Sequence, residues 1–101
     1  MLLYLKRNYA EAIAEYDPDK KACVVKKGSK VSDDISYTEK FKGANTIEKY
    51  RAKYVKDGVV LEDAPFKSSS TAANFVTGRS TNGLTAWKDE NGVSLKALLQ
   101  K

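Results

Sequence analysis

Residues 12–26 of the chain read AIAEYDPDKKACVVK. Two β-prone runs, residues 12–16 and 22–26, flank the tetrapeptide Asp17-Pro18-Asp19-Lys20. Proline at the second position of a turn has its φ already restricted, and aspartates accept hydrogen bonds from nearby backbone N–H groups. The stretch therefore predicts an antiparallel hairpin. The apolar, β-prone residues 2–6 predict a strand that precedes it.

Helix signals begin further along the chain. Asn45 is placed to cap a helix, and Glu48 stands three residues on, as in a capping box. An apolar stripe follows at helical spacing, and it consists of Ile47, Tyr50, Tyr54 and Val55. Gly58 is expected to end this helix, because glycine takes the left-handed conformation without penalty. A short buried strand is expected at residues 59–61.

A second helix is predicted over residues 69–77. Ser68 is placed to cap its start and Gly78 to stop it. One side of this helix carries only small apolar side chains, which would let it pack close to a sheet, namely Ala72, Ala73 and Val76.

The remaining segments are shorter. Residues 28–44 predict a loop that contains a short strand at residues 35–37. Residues 85–88 predict a strand, Asn91-Gly92 a tight turn, and Ser94 the cap of a last helix over residues 95–100. Together these elements predict an α+β fold, with a small, mainly antiparallel sheet and about three helices packed on it.

Composition limits the size and the surroundings of the domain. The chain has 101 residues, which we expect to form one domain over residues 1–101, and 42% of them are apolar. No run approaches the ~18 apolar residues of a membrane span, so we expect no membrane association. The single cysteine, Cys23, cannot form an internal disulfide and fits a reducing cytoplasm.

Residue types argue against catalysis. The chain has no histidine and one cysteine, which removes the usual general base and the common zinc-ligand sets. It also lacks a Gly-rich phosphate loop and a dinucleotide fingerprint. We therefore expect no enzymatic activity, no cofactor and no metal site.

Positive charge is concentrated in two stretches without acidic residues, within a chain of net charge +5. Residues 20–30 contain five lysines, among them Lys26, Lys27 and Lys30. Residues 66–88 contain Lys67, Arg79 and Lys88 together with eight Ser and Thr hydroxyls. Such stretches suit phosphate groups, although a solvated lysine-rich surface explains charge equally well.

Within the second stretch, individual residues have two interpretations. Ser68 and Ser70 lie at a helix start, where free N–H groups favour an anion, but a serine there also serves as a plain cap. Arg79 is suited to a bidentate phosphate contact. Asn82-Gly83 either presents a base-reading amide or forms a simple turn. Trp87 either stacks on a base or belongs to the core.

Several segments also resemble a known family. They are residues 66–73 (FKSSSTAA), 78–83 (GRSTNG), 87–88 (WK), 92–95 (GVSL) and, upstream, 24–31 (VVKKGSKV). From about residue 3 to 98 the chain resembles a bacterial domain-of-unknown-function family found after GIY-YIG nuclease-like modules and in restriction–modification proteins. Its C-terminal half is similar to RAMA, the restriction enzyme adenine methylase associated domain. Where Leu84 follows Asn-Gly, the family often has an aromatic residue.

The resemblance implies an accessory domain of a DNA-handling system. Its partners would be duplex DNA and a nuclease or methyltransferase module. On the family pattern and the charge distribution, the expected nucleic-acid-binding residues are Lys26, Lys27, Ser29, Lys30, Ser68, Ser70, Arg79, Asn82, Gly83, Trp87 and Lys88. The alternative is a protein-interaction module that couples a catalytic partner to its complex through an exposed apolar patch.

Overall fold

The computed structural model describes residues 1–37 and 43–100, and within them the chain forms six strands and four helices. The strands are β1 (Leu2–Arg7), β2 (Ala10–Asp17), β3 (Ala22–Val25), β4 (Val55–Lys56), β5 (Val59–Val60) and β6 (Ala64–Phe66). The helices are α1 (Ala44–Tyr54), α2 (Ser69–Thr77), α3 (Gly83–Ala86) and α4 (Leu95–Leu99). The predicted α+β class is therefore confirmed, with one helix more than expected.

The main sheet has the strand order β1-β2-β3-β6, and each neighbouring pair is antiparallel. The predicted hairpin is confirmed as β2 and β3, and the Asp17 carboxylate accepts hydrogen bonds from the N–H groups of Asp19 and Lys20 at 3.0 and 3.3 Å. Strand β6 was not predicted, because it contains Pro65. Proline fits here because the strand lies at the end of the sheet and has no outer neighbour that needs its N–H.

One face of the main sheet is buried, and helix α2 packs on this face against β2, β3 and β6. Leu3 and Leu5 of β1 and Ala12 and Ala14 of β2 are fully or almost fully buried on that face. The small side chains of β2 face the small residues of α2, which allows the helix and the sheet to approach closely. The predicted boundaries of α2 are confirmed, with Ser68 as its N-terminal cap and Gly78 as its left-handed C-terminal cap.

The start and the end predicted for α1 are wrong. Gly43 occupies the cap position, without a side-chain cap, and Asn45 lies inside the first turn. The helix ends at Tyr54, before a tight hairpin of β4 and β5 whose two turn residues, Asp57 and Gly58, have φ of 53° and 77°. Asp-Gly is a strong signal for a two-residue hairpin turn, so Gly58 marks that turn rather than a helix end.

Two further predicted strands are wrong. Thr85 and Ala86 belong to helix α3, and only Lys88 makes a β-bridge, with Tyr4 on one side and Ser94 on the other. Residues 35–37 form no strand, because the backbone there is held by α2 instead, through a hydrogen bond from Ser36 N–H to Gly78 O of 2.6 Å. Part of the predicted loop, residues 38–42, lies outside the described residues.

Arg51 joins three parts of the fold. Its guanidinium donates to the carbonyl of Phe75 at 2.9 and 3.1 Å and to the carbonyl and hydroxyl of Ser32, both at 2.8 Å. Burial lowers the pKa of the Arg51 guanidinium, and the charge of nearby Asp34 opposes that effect. Because the last carbonyls of a helix have no partner within it, Arg51 satisfies the C-terminal end of α2 from outside.

The helices of the described residues are all too short, or too polar, to cross a lipid bilayer.

Candidate nucleic-acid interface

The predicted phosphate site at the start of α2 is occupied by hydrogen bonds within the protein. The Ser68 hydroxyl accepts from Thr71 N–H at 3.1 Å, as a helix cap does. The Ser70 hydroxyl accepts from Gly83 N–H at 3.1 Å. Gly83 is buried so tightly here that an added Cβ would lie 2.5 Å from Ser70 N. The cap interpretation thus explains Ser68, and Gly83 serves close packing between α2 and α3.

Trp87 belongs to the core, so its interpretation as a base-stacking residue is wrong. The side chain is fully buried, and its indole N–H donates to Ser69 O at 2.9 Å. Neither face of the ring is open to a ligand. The core alternative is correct, because the hydrogen bond satisfies the one polar atom of the ring inside the protein.

Asn82 and Arg79 lie at the surface on either side of the chain reversal that follows α2. The Asn82 side-chain oxygen accepts from Leu84 N–H at 3.0 Å and caps α3. The Arg79 guanidinium lies 4.6 Å from the ring centroid of Tyr9, in the turn between β1 and β2. Stacking of this kind orients the guanidinium at the surface.

Lys26 is engaged by an acidic neighbour. Its ammonium lies 3.1 Å from the Asp63 carboxylate, which also accepts from Lys27 N–H at 2.8 Å. The hydrogen bond from Lys27 N–H lowers the pKa of Asp63 the most, and the bond from the Lys26 side chain lowers it further. Lys26 is therefore partly neutralised, whereas the side chain of Lys27 is exposed.

Ser29 and Lys30 extend the sheet beyond the end of β3. The buried Ser29 hydroxyl accepts from Ile13 N–H at 3.1 Å, and it thus takes the place of a backbone carbonyl from a neighbouring strand. Lys30 exchanges backbone hydrogen bonds with Glu11 at 2.8 and 2.9 Å and is also bridged to Val59. Ser29 is thus a structural residue, and it holds the neighbouring lysines against β2.

The face of the sheet opposite α2 carries a groove of about 470 Å³. We call it the basic groove, and the side chains that matter to its charge are Lys6, Glu11, Lys27 and Lys30. Tyr4 and Ile13 supply apolar lining beside them. In the described part of the chain, the carboxylates lie more than 4.0 Å from the ammonium groups of Lys6, Lys27 and Lys30. Three cations and one carboxylate therefore share the groove, which favours an anionic ligand.

Lys88 borders the same face. Its backbone pairs with Tyr4, with N···O distances of 2.7 and 2.9 Å, and residues opposite each other in antiparallel strands project to one face of a sheet. Lys88 is exposed there. Of the predicted residues, the groove lining therefore contains Lys27, Ser29 and Lys30, and Lys88 lies on the same face beyond Tyr4. Ser68, Ser70 and Trp87 belong to α2 and the core on the opposite face.

Sequence reasoning missed Tyr4, Lys6 and Ile13. The available signal was strand alternation, because residues 2, 4 and 6 share one face and residues 3 and 5 the other. Leu3 and Leu5 are the buried pair, which leaves Tyr4 and Lys6 on the open face. Among the described residues, no group of three or more acidic or cysteine side chains is placed to hold a metal ion.

These features define a small α+β domain with one sheet face covered by helices and a lysine-lined groove on the other. Residues 3–99 match the family described as Domain of unknown function (DUF4357), and the chain therefore belongs to this family. The predicted membership in a family of unknown function is confirmed. No curated protein and no solved structure matches the chain.

Proposed function

We propose that the chain is a non-catalytic accessory domain that binds DNA in a restriction–modification or nuclease-type system. The observation that carries the proposal is the basic groove, where Lys6, Lys27 and Lys30 stand on one face, with no carboxylate of residues 1–37 and 43–100 within 4.0 Å. The net charge of +5 agrees with a polyanionic ligand.

The lysines supply attraction to phosphate that does not depend on base sequence. Each phosphate that a lysine neutralises releases condensed counterions, so affinity falls steeply with salt. The positions of Lys27, Lys30 and Lys88 around one open face allow several phosphates to be contacted together. The resemblance to domains of restriction–modification proteins and to RAMA domains supports the choice of biological system and of a nuclease or methyltransferase partner.

Fluorescence anisotropy of labelled duplex DNA, plain and adenine-methylated, tests the proposal at low and moderate salt. We expect the Lys27→Ala/Lys30→Ala double variant to bind about tenfold more weakly and to lose roughly 1–2 units of the logarithmic salt slope. The matched control is Lys49→Ala/Lys53→Ala, which removes two exposed lysines from α1. A preference for the methylated duplex would extend the proposal to modified-base recognition.

Equal loss in both double variants would contradict a role for the groove and leave only nonspecific attraction. Absence of binding at low salt, to duplex and to single-stranded DNA alike, would overturn the DNA proposal.

The second candidate is a protein-interaction module that couples a catalytic partner to its complex. One observation favours it: Leu2, Tyr4 and Ile13 expose 50%, 36% and 42% of their surface on the open face of the sheet. Exposed apolar side chains that adjoin one another often mark contacts with another protein. A DNA-binding result that is insensitive to the lysine variants, together with loss of complex formation in Ile13→Asp, would favour this candidate.

A further inference from the structure

We infer that the basic groove takes an unpaired stretch of DNA, with one base stacked on the ring of Tyr4. This inference rests on the proposed function and narrows its ligand to single-stranded DNA. It depends on three features of the open face, which are the fixed position of Tyr4, the uneven charge around it and the concave shape of the groove.

Tyr4 is an exposed aromatic residue on a rigid support. Its backbone is paired on both sides, with Ile13 of β2 and with Lys88. Tyr4 lies at the rim of the groove, with 36% of its surface exposed to solvent. With its backbone fixed in this way, the ring has only its side-chain torsions to lose when a base stacks on it, and such stacking tolerates any base.

Charge differs on the two sides of the Tyr4 ring. On one side lies the basic groove, with Lys6 two residues along β1, at a distance of about 7 Å from strand geometry. On the other side Leu2 and Tyr4 border a smaller hollow together with Asp89 and Glu90. Exposed Lys88 precedes these two carboxylates, so this side keeps a small net negative charge, whereas Lys6, Lys27, Lys30 and Glu11 leave the groove net positive. Phosphates are therefore attracted preferentially to the groove, which gives the bound strand one preferred path.

Glu11 is the one carboxylate of the groove lining, and it stands opposite both Lys6 and Lys30 in the strand register. Glu11 therefore has one lysine on each side, Lys6 on β1 and Lys30 on the segment after β3. Glu11 lowers the net charge of the groove without reversing its sign, and it restricts phosphates to the lysine positions.

The shape of the groove favours unpaired over paired DNA. Duplex DNA is read by a protein element that enters one of its grooves, such as a helix or a two-stranded ribbon. Here the open face is a hollow of about 470 Å³ with an aromatic ring at its rim, which receives a ligand instead of entering one. Bases within a duplex are already stacked and paired, so their faces cannot reach Tyr4.

The test compares anisotropy of a labelled oligothymidine of about twelve nucleotides, within the range of known single-strand sites, with a duplex of the same length. We expect the single strand to bind more tightly. Tyr4→Ala should weaken single-strand binding about tenfold, Tyr4→Phe should preserve it, and neither should change duplex binding. The matched control is Tyr37→Ala, which removes an exposed tyrosine that bonds to Glu48 on α1.

Should Tyr4→Ala fold poorly, Tyr4→Val keeps strand propensity while removing the ring. Equal or tighter binding of the duplex, or an equal effect of Tyr4→Ala on both ligands, would overturn the inference and leave the proposed function standing. Failure of both ligands to bind would overturn both.

Discussion

At the scale of single residues, Arg51 has a structural role that could not be read from its position in the sequence. It lies in α1, yet within the described residues its side chain bonds only to other segments, either to Ser32 or to the end of α2. A charged group bonded to carbonyls in this way also opposes the negative end of the helix dipole.

Replacement of Arg51 by alanine is expected to lower the free energy of unfolding by roughly 2–4 kcal/mol, because charge-assisted bonds are lost and partly buried carbonyls are left without donors. Arg51→Lys should recover only part of this, since one ammonium cannot reproduce the planar fork. Urea denaturation measures both. The control Lys49→Ala, on the exposed side of the same helix, should change stability by less than about 0.5 kcal/mol. Equal effects of Arg51→Ala and Lys49→Ala would contradict this role.

Gly78 and Gly92 form a matched pair, because both have positive φ, 73° and 82°, but different surroundings. A Cβ on Gly78 would lie 2.2 Å from the Asp34 carbonyl oxygen, whereas a Cβ on Gly92 would meet nothing within 4 Å. We expect Gly92→Ala to cost about 1–2 kcal/mol, from backbone conformation alone. Gly78→Ala should cost roughly 2–5 kcal/mol, because steric overlap adds to that term. Thermal denaturation of the two variants measures the difference in stability. Similar losses of stability would show that the segment around Asp34 moves away from the added Cβ at little cost.

At the scale of elements, the start of α2 and the start of α3 form one packed junction. Ser70 bonds to Gly83, and Trp87 bonds to Ser69, so α3 covers the end of α2 that sequence reasoning assigned to phosphate. The junction also removes Trp87 from solvent. The hydroxyls and the indole of this region thus hold two helices together.

The burial of Trp87, the only tryptophan of the chain, has a spectroscopic consequence. We expect blue-shifted emission that iodide quenches weakly in the folded protein and strongly once urea has unfolded it. We also expect single-stranded and duplex DNA to leave this emission unchanged, because the ring has no exposed face. Strong quenching by bound DNA would contradict the core position of Trp87.

At the scale of the whole molecule, the two faces of the main sheet differ in what covers them. Helix α2 buries one face, and the other remains open with the basic groove and the exposed Leu2, Tyr4 and Ile13. Antiparallel sheets commonly have one covered and one solvated face, but the solvated face is usually polar. Here it combines lysines with apolar side chains, and it is therefore the surface from which both functional proposals are argued.

Much of the fold was predictable where the signal is local. The turn at residues 17–20, the cap at Ser68, the stop at Gly78 and the cap at Ser94 were all placed correctly. The start of α1 and the strand at residues 85–88 were not: Gly43 stands at the cap position of α1, and Asn82 caps helix α3 through a local bond to Leu84 N–H. Asp57-Gly58 was a local signal as well, but it was interpreted as the end of a helix.

The candidate site was less predictable than the fold. Lys27, Lys30 and Lys88 were expected from charge alone, and the structure places all three about the open face. Tyr4 and Lys6 could be assigned to that face only once Leu3 and Leu5 were known to be buried.

By itself, the sequence determined the α+β class, the hairpin and the ends of α2, because these depend on local signals. The signals are apolar periodicity, side chains that bond to backbone within about four residues and, at Gly78, the freedom of glycine to adopt a positive φ. Only the tertiary structure decided that Trp87 is buried, that Arg51 closes the end of α2 and that lysines from β1 and from the segment after β3 border one groove. Those outcomes depend on contacts between residues far apart in the chain. Such contacts form only when the sheet is assembled, and no pattern within one segment specifies them.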